Sequence, residues 1–175
     1  MEKHKILHCI DPGPRTSGYA KMRITPEGVL VDQAVSAFDN EAFIGTPLVA
    51  PHEVDSSWAV IEGIQNSYGH SVGRDVMDTV WWAGRFYQFF LGLNLPTGRP
   101  TRQQVLRSFF GQVPKGSDSK VREFLLDRFG GKSVAIGKKK TPGPLYSVTG
   151  HAWQALGLGY YMARDVLQWR APGLR

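Results

Sequence analysis

The sequence predicts an α/β domain, and three observations carry that reading. Short apolar runs punctuated by Pro and Gly fill the first third of the chain, apolar residues at helical spacing fill most of the rest, and two of the apolar runs end on a carboxylate. Runs of both kinds along one chain share a core most simply as a sheet covered by helices.

The first run, Ile6-Leu7-His8-Cys9-Ile10, ends on Asp11 and turns at once through Pro12-Gly13. Aspartate is a poor strand former and is costly to bury alone, so an acid at a strand exit holds a cation or proton, or else opens an Asp-Pro-Gly turn. Strands are expected over Lys5 to Ile10, Thr16 to Ile24 and Val29 to Phe38, joined as an antiparallel meander through Thr25-Pro26-Glu27-Gly28. Residues 39 to 57 show no sustained period and carry Pro47 and Pro51, so a loop with one short helical turn is expected there. Trp58-Ala59-Val60-Ile61 then repeats the first pattern and ends on Glu62-Gly63. Two strands that each deliver an acid to their exit can bring both acids to one sheet edge, where they repel unless a divalent metal lies between them.

The longest helix is expected from Val72 to about Leu91, with Ser71 as its cap. Two more follow at Arg102 to Phe110 and Ser119 to Phe129, the second capped by Ser117 or Asp118 and stopped by Gly130-Gly131. A basic polar segment, Gly137-Lys138-Lys139-Lys140-Thr141-Pro142-Gly143-Pro144, precedes a last helix from about Gly150 to Trp169. Gly157 and Gly159 inside that helix each cost about 1 kcal/mol relative to alanine, which points to close approach by another element.

Composition narrows the function classes. The 175 residues suit a single domain, expected to span 1 to 175. Lysine and arginine number 21 against 15 acidic residues, a net charge of +6 that favours a polyanionic partner. The one cysteine, Cys9, excludes an intrachain disulfide and a cysteine zinc cluster. No signal-peptide pattern opens the chain and no apolar run reaches the roughly 20 residues of a membrane span, so a cytoplasmic protein is expected.

Asp11-Pro12-Gly13 followed by Gly18, an apolar strand ending in Glu62, and a closing helix begun at Gly150-His151-Ala152-Trp153-Gln154 form an ordered set. In that order the chain resembles the RuvC-like Holliday-junction resolvases of the RNase H-like superfamily. Ile61-Glu62-Gly63-Ile64, then Tyr68-Gly69 and Val72-Gly73-Arg74-Asp75, with Lys139-Lys140-Thr141-Pro142-Gly143-Pro144-Leu145-Tyr146, look more narrowly like the RuvC-like proteins of bacteriophages and prophages. The resemblance implies a five-stranded mixed sheet with helices on both faces, and a metal site where the first and fourth strands meet the last helix. Asp11 and Glu62 match the family's first two acids, and His151 falls at the third. Gln154 departs from the pattern, because cellular relatives carry a second acid there. Asp78, Asp75 and Asp118 are the candidates to replace it, Asp78 first.

The activity implied is divalent-metal-dependent hydrolysis of a phosphodiester in branched DNA. Two Mg²⁺ or Mn²⁺ ions are expected, with Asp11 bridging them, Glu62 holding one, and His151 completing the shell or deprotonating the attacking water. A metal set reduced by Gln154 and carrying His151 is expected to favour Mn²⁺. DNA contacts are expected from Lys138, Lys139, Lys140, Tyr68, Lys120 and Arg122, and Phe109-Phe110 reads as core or as an aromatic wedge. Trp81, Trp82, Phe86, Phe89 and Phe90 put more aromatic surface on one helix than one buried face requires, which fits a homodimer on a two-fold junction. Two other readings stand beside this one: a junction-binding module with weakened catalysis, and an RNase H-like nuclease acting on flaps or RNA–DNA hybrids.

Overall fold

The structure is a computed structural model that describes residues 4–65 and 72–168. Strand β1 (Lys5–Asp11) pairs antiparallel with β2 (Thr16–Thr25), which pairs antiparallel with β3 (Gly28–Asp39). On its other side β1 pairs parallel with β4 (Ser57–Ile61), and β4 pairs parallel with the two-residue β5 (Thr97–Gly98). The sheet is therefore five-stranded and mixed, in the order β3-β2-β1-β4-β5.

Side-chain alternation along the strands sets up two cores. Leu7, Cys9, Ala20, Met22 and Val60 point to one face, which is covered by α3 (Arg102–Phe110), α4 (Ser117–Arg128) and α6 (Ala152–Tyr161). Ile10, Tyr19, Ala59 and Ile61 point to the other, under α1 (Asn40–Ile44) and α2 (Arg74–Gly92), whose Phe43, Trp82, Phe86 and Phe90 fill it. His8 is buried on this second face, 2.9 Å from the Tyr19 hydroxyl, and burial pushes its imidazole down to about 4, so it is neutral.

The last helix lies close against the first face, as its glycines suggest. A methyl group at Gly159 would strike the sulfurs of Cys9 and Met22, and one at Gly157 would meet Val121 of α4. Phe109 and Phe110 pack within the chain. Phe109 stacks on Phe124 with ring centres 4.2 Å apart and Phe110 meets the same ring edge-on, so neither stands out as a wedge.

Several sequence expectations need correction. The α2 helix is entered through Gly73 without a side-chain cap; the expected cap, Ser71, lies outside the described residues. Helix α4 starts earlier than expected, with Gly116 at the cap position, so Ser117 and Asp118 lie inside its first turn. Asp118 is there held by a side chain from α3 instead of by the backbone of its own helix. Residues 39–57 hold α1, capped by the Asp39 carboxylate on the Ala42 amide, and a 3-10 turn at Pro51–Ser56. The basic segment is a small hairpin, β6 (Gly137–Lys138) with β7 (Thr141–Pro142), after a short α5 (Lys132–Ile136). The final helix ends as a π turn at Met162–Val166.

Candidate metal and nucleic-acid site

The register of the two central strands builds the site. Ile10 lies beside Ile61 in the parallel β1–β4 pair, and the Glu62 amide donates to the Ile10 carbonyl at 3.0 Å, so the strand exits deliver Asp11 and Glu62 side by side. Alternation from Cys9 and Val60 puts both carboxylates on the α6 face. They are 8% and 7% exposed. Two buried carboxyl groups at neighbouring strand ends repel each other when both are ionised, which favours a proton on one of them. Burial and the neighbouring Asp11 push Glu62 up to about 8, and burial pushes Asp11 upward as well.

The turn after Asp11 is pinned by buried polar groups. Ser17 accepts from the Gly13 amide at 3.1 Å and donates to the Asn40 side chain at 2.7 Å, and Asn40 returns a bond to the Gly13 carbonyl at 3.0 Å. Opposite Asp11 in the β1–β2 register stands Gly18, where a Cβ would collide with the backbone of His151. The absent side chain lets His151, at the head of α6, bring its Nδ1 to 3.0 Å from Asp11 Oδ2. The imidazole is otherwise open to solvent, its side chain 70% exposed.

Arg102 closes the other side. It is the first residue of α3, fixed by a capping box in which Thr101 and Gln104 exchange hydrogen bonds and by a bridge from Gly63 to Thr101. Its guanidinium reaches Glu62 at 3.9 Å, donates to the Ser117 hydroxyl at 3.3 Å and pairs closely with the Asp118 carboxylate. A groove of about 550 Å³ opens beside His151, lined by Asp118, Ser119, Arg122, Thr149, Trp153 and Gln154 among others.

The structure brings Glu62 and His151 each beside Asp11. It does not bring Asp78 to them: Asp78 pairs with Arg74 at 3.7 Å on α2, the helix that covers the opposite face. Asp118, another of the candidate acids, is the one near the pair, raising the carboxyl pKa of both members by its charge. Gln154 lies one turn after His151 and lines a small cavity with Glu62 and Arg102. Of the expected DNA-contacting residues, Arg122 lies in the groove with its guanidinium 5.3 Å from the Trp153 ring centre. Lys120 is paired with Glu123 on the surface of α4. Lys138, Lys139 and Lys140 are exposed on the hairpin, and Tyr68 lies outside the described residues. The place of Arg102 at the site escapes sequence reasoning, which gives it only as the start of a helix; the Thr101 to Gln104 capping box is the signal that marks that start.

Among the described residues, no three acidic, imidazole or thiol groups are gathered into a complete metal cage. The chemistry of Asp11 and Glu62 nevertheless fits a hard divalent cation: two oxygen donors, adjacent, buried and unable to ionise together without a compensating charge. A pH dependence follows. The folded pair keeps a proton that the unfolded chain releases near 4.5, so this stabilisation is complete below that value and is lost as pH rises through about 8. Thermal melts in EDTA are expected to show it, with the gain on adding Mg²⁺ or Mn²⁺ larger at pH 8.5 than at pH 6; an equal gain at both would contradict it.

No protein-family model matches the chain, and no curated protein matches it either. Among solved structures it is similar to Thermus thermophilus RuvC, with a TM-score of 0.61 and 17% identity over 91% of this chain and 95% of that one. It is also similar to T. thermophilus RuvC in complex with Holliday junction substrate, with a TM-score of 0.60 and 15% identity over 95% and 98% of the two chains. At such identity the likeness is one of fold. The chain has the α/β RNase H-like fold in its RuvC form, and among the described residues no helix is long and apolar enough to cross a membrane.

Proposed function

We propose that this protein is a metal-dependent, structure-selective endonuclease that cuts Holliday junctions or related branched DNA by phosphodiester hydrolysis. The observation that carries the reading is the buried Asp11–Glu62 pair at adjoining strand ends, with His151 on Asp11 and a groove alongside. The fold it shares with a protein captured on a Holliday junction substrate supports the choice of DNA structure.

Asp11 and Glu62 would hold Mg²⁺ or Mn²⁺, with His151 at the edge of the site. When bound, the metal supplies the positive charge that phosphodiester hydrolysis at neutral pH needs at the attacking and leaving oxygens. In the tautomer that donates Nδ1–H to Asp11, His151 leaves its other ring nitrogen to take a proton from the attacking water. Arg122 offers a fixed guanidinium to a phosphate in the groove, and Lys138, Lys139 and Lys140 add exposed positive charge ahead of the α6 helix.

We read the working form as a homodimer, since two symmetric cuts need two sites. Val76, Met77, Val80 and Trp81 form an exposed apolar stripe on α2 that suits a second copy. The likeness of the Glu62 and Lys139 segments to phage and prophage RuvC-like proteins makes a phage or prophage protein in the bacterial cytoplasm our reading of its setting.

The test is a labelled synthetic four-way junction and a matched duplex, each incubated in Mg²⁺, Mn²⁺ and EDTA. Paired symmetric cuts in the junction alone, lost in EDTA, are expected. An intact but gel-shifted junction in every buffer would favour a binding module with weakened catalysis, a reading to which the amide of Gln154 lends weight.

A further inference from the structure

We infer that Arg102 is the resident second cation of this site, so that the chain takes one divalent ion where the family resemblance implies two. The inference rests on the reading of Asp11 and Glu62 as a metal seat and specifies what that seat will accept.

Two features support it. Arg102 is placed by the backbone: the bridge from Gly63, the residue after Glu62, to Thr101 ties the start of α3 to the strand exit, and the capping box fixes the helix start. The guanidinium lies between two carboxylates, Glu62 on one side and Asp118 on the other, with the Ser117 hydroxyl as a third partner. It thus spans acids on two elements, as a metal ion would, and ties the solvent-exposed Asp118 to the Glu62 side of the site.

Charge counting gives the same result. Asp11, Glu62 and Asp118 ionised, less one guanidinium, leave a formal charge of minus two, which a single divalent ion neutralises. A second ion would meet a site already neutral and would have to displace a cation held by three partners. Gln154, which shares a cavity with Glu62 and Arg102, adds no charge to draw one in. An arginine is always protonated and carries a planar fork suited to phosphate oxygens, so Arg102 can serve the strand being cut as well as the carboxylates.

The experiment is Mn²⁺ binding to the full chain without DNA, counted by electron paramagnetic resonance and by calorimetry, for wild type, Arg102→Gln and Arg102→Lys. Wild type and Arg102→Lys are expected to bind one ion per chain. Arg102→Gln is expected to bind its first ion at least tenfold more tightly, roughly 1.4 kcal/mol, and to admit a second. Two ions of similar affinity in wild type would overturn the inference and leave the metal reading intact, as would Arg102→Gln binding no more tightly than wild type. No Mn²⁺ bound by wild type up to millimolar concentration would remove the metal reading itself, and this inference with it. Should Arg102→Gln fail to fold, the wild-type count decides alone.

Discussion

Asp11→Asn is expected to abolish cleavage while making the metal-free protein more stable. The two effects share one cause. Asp11 is a buried acid beside another buried acid, and the pair keeps a proton well above the usual carboxylate range because neither charge is solvated and each repels the other. An amide of the same shape removes one of the like charges and can still donate to Glu62. Melting at pH 8 in EDTA is therefore expected to rise by about 1–2 kcal/mol of stability, the order of one pKa unit of relief. Junction cleavage is expected to fall by roughly 10³-fold or more, corresponding to ~4 kcal/mol of lost transition-state stabilisation. Binding of the junction in a gel shift is expected to persist, since the basic groups that attract phosphate are elsewhere. A variant that is both less stable in EDTA and still active would mean that the pair is an ordinary buried hydrogen bond and not a strained seat for a cation.

The second large effect is expected from a residue without a side chain. Gly18→Ala sets a methyl group where the backbone of His151 now lies, about 2.5 Å from its carbonyl oxygen. Backbone cannot yield as a flexible side chain can, so the start of α6 has to move away from β2 and take the imidazole off Asp11. The overpacking is expected to cost roughly 1–3 kcal/mol in chemical denaturation. A displacement of about 1 Å at the reacting groups is expected to cost on the order of 10²-fold in cleavage rate. Gly157→Ala, further along α6, crowds a side-chain methyl of Val121 on α4 instead of the His151 backbone, and is expected to lower stability with a much smaller change in rate. A loss of rate at Gly157 as large as at Gly18 would mean that rate follows general packing of α6 and not the seating of His151.

How far the sequence announced this arrangement depends on the kind of signal. The central strands were legible because local pattern and burial agree there: apolar runs closed by Asp11 and Glu62 read as two strands whose exits can share one edge. The two-residue β5 was not announced by any local pattern, since so short a strand has no period to read and exists only because β4 offers it an edge. The caps of α2 and α4 were misjudged for a related reason. Ser and Asp are favoured cap residues on average, but Asp118 is recruited by Arg102 across a tertiary contact that outweighs its local preference.

The same distinction divides the site. Asp11, Glu62 and His151 could be named from motif order, and the strand register then accounts for why the first two meet. The fourth acid could not, because sequence distance from Glu62 drew attention to Asp78 while the fold sends α2 to the opposite face. Asp118, more distant along the chain, comes near because α3 and α4 pack on the same side as α6. Arg102 shows the limit most plainly: the Thr101 to Gln104 capping box marks where its helix starts, but sequence does not say whether the guanidinium will meet solvent, DNA or a buried carboxylate.

The central claim is that the Asp11–Glu62 pair is a divalent-metal seat, and the direct measurement is an anomalous difference map from crystals grown with millimolar Mn²⁺. A peak about 2.0–2.2 Å from carboxylate oxygens of both Asp11 and Glu62 is the expected result. A map without a peak there, with Asp11 and Glu62 both ordered, would contradict it.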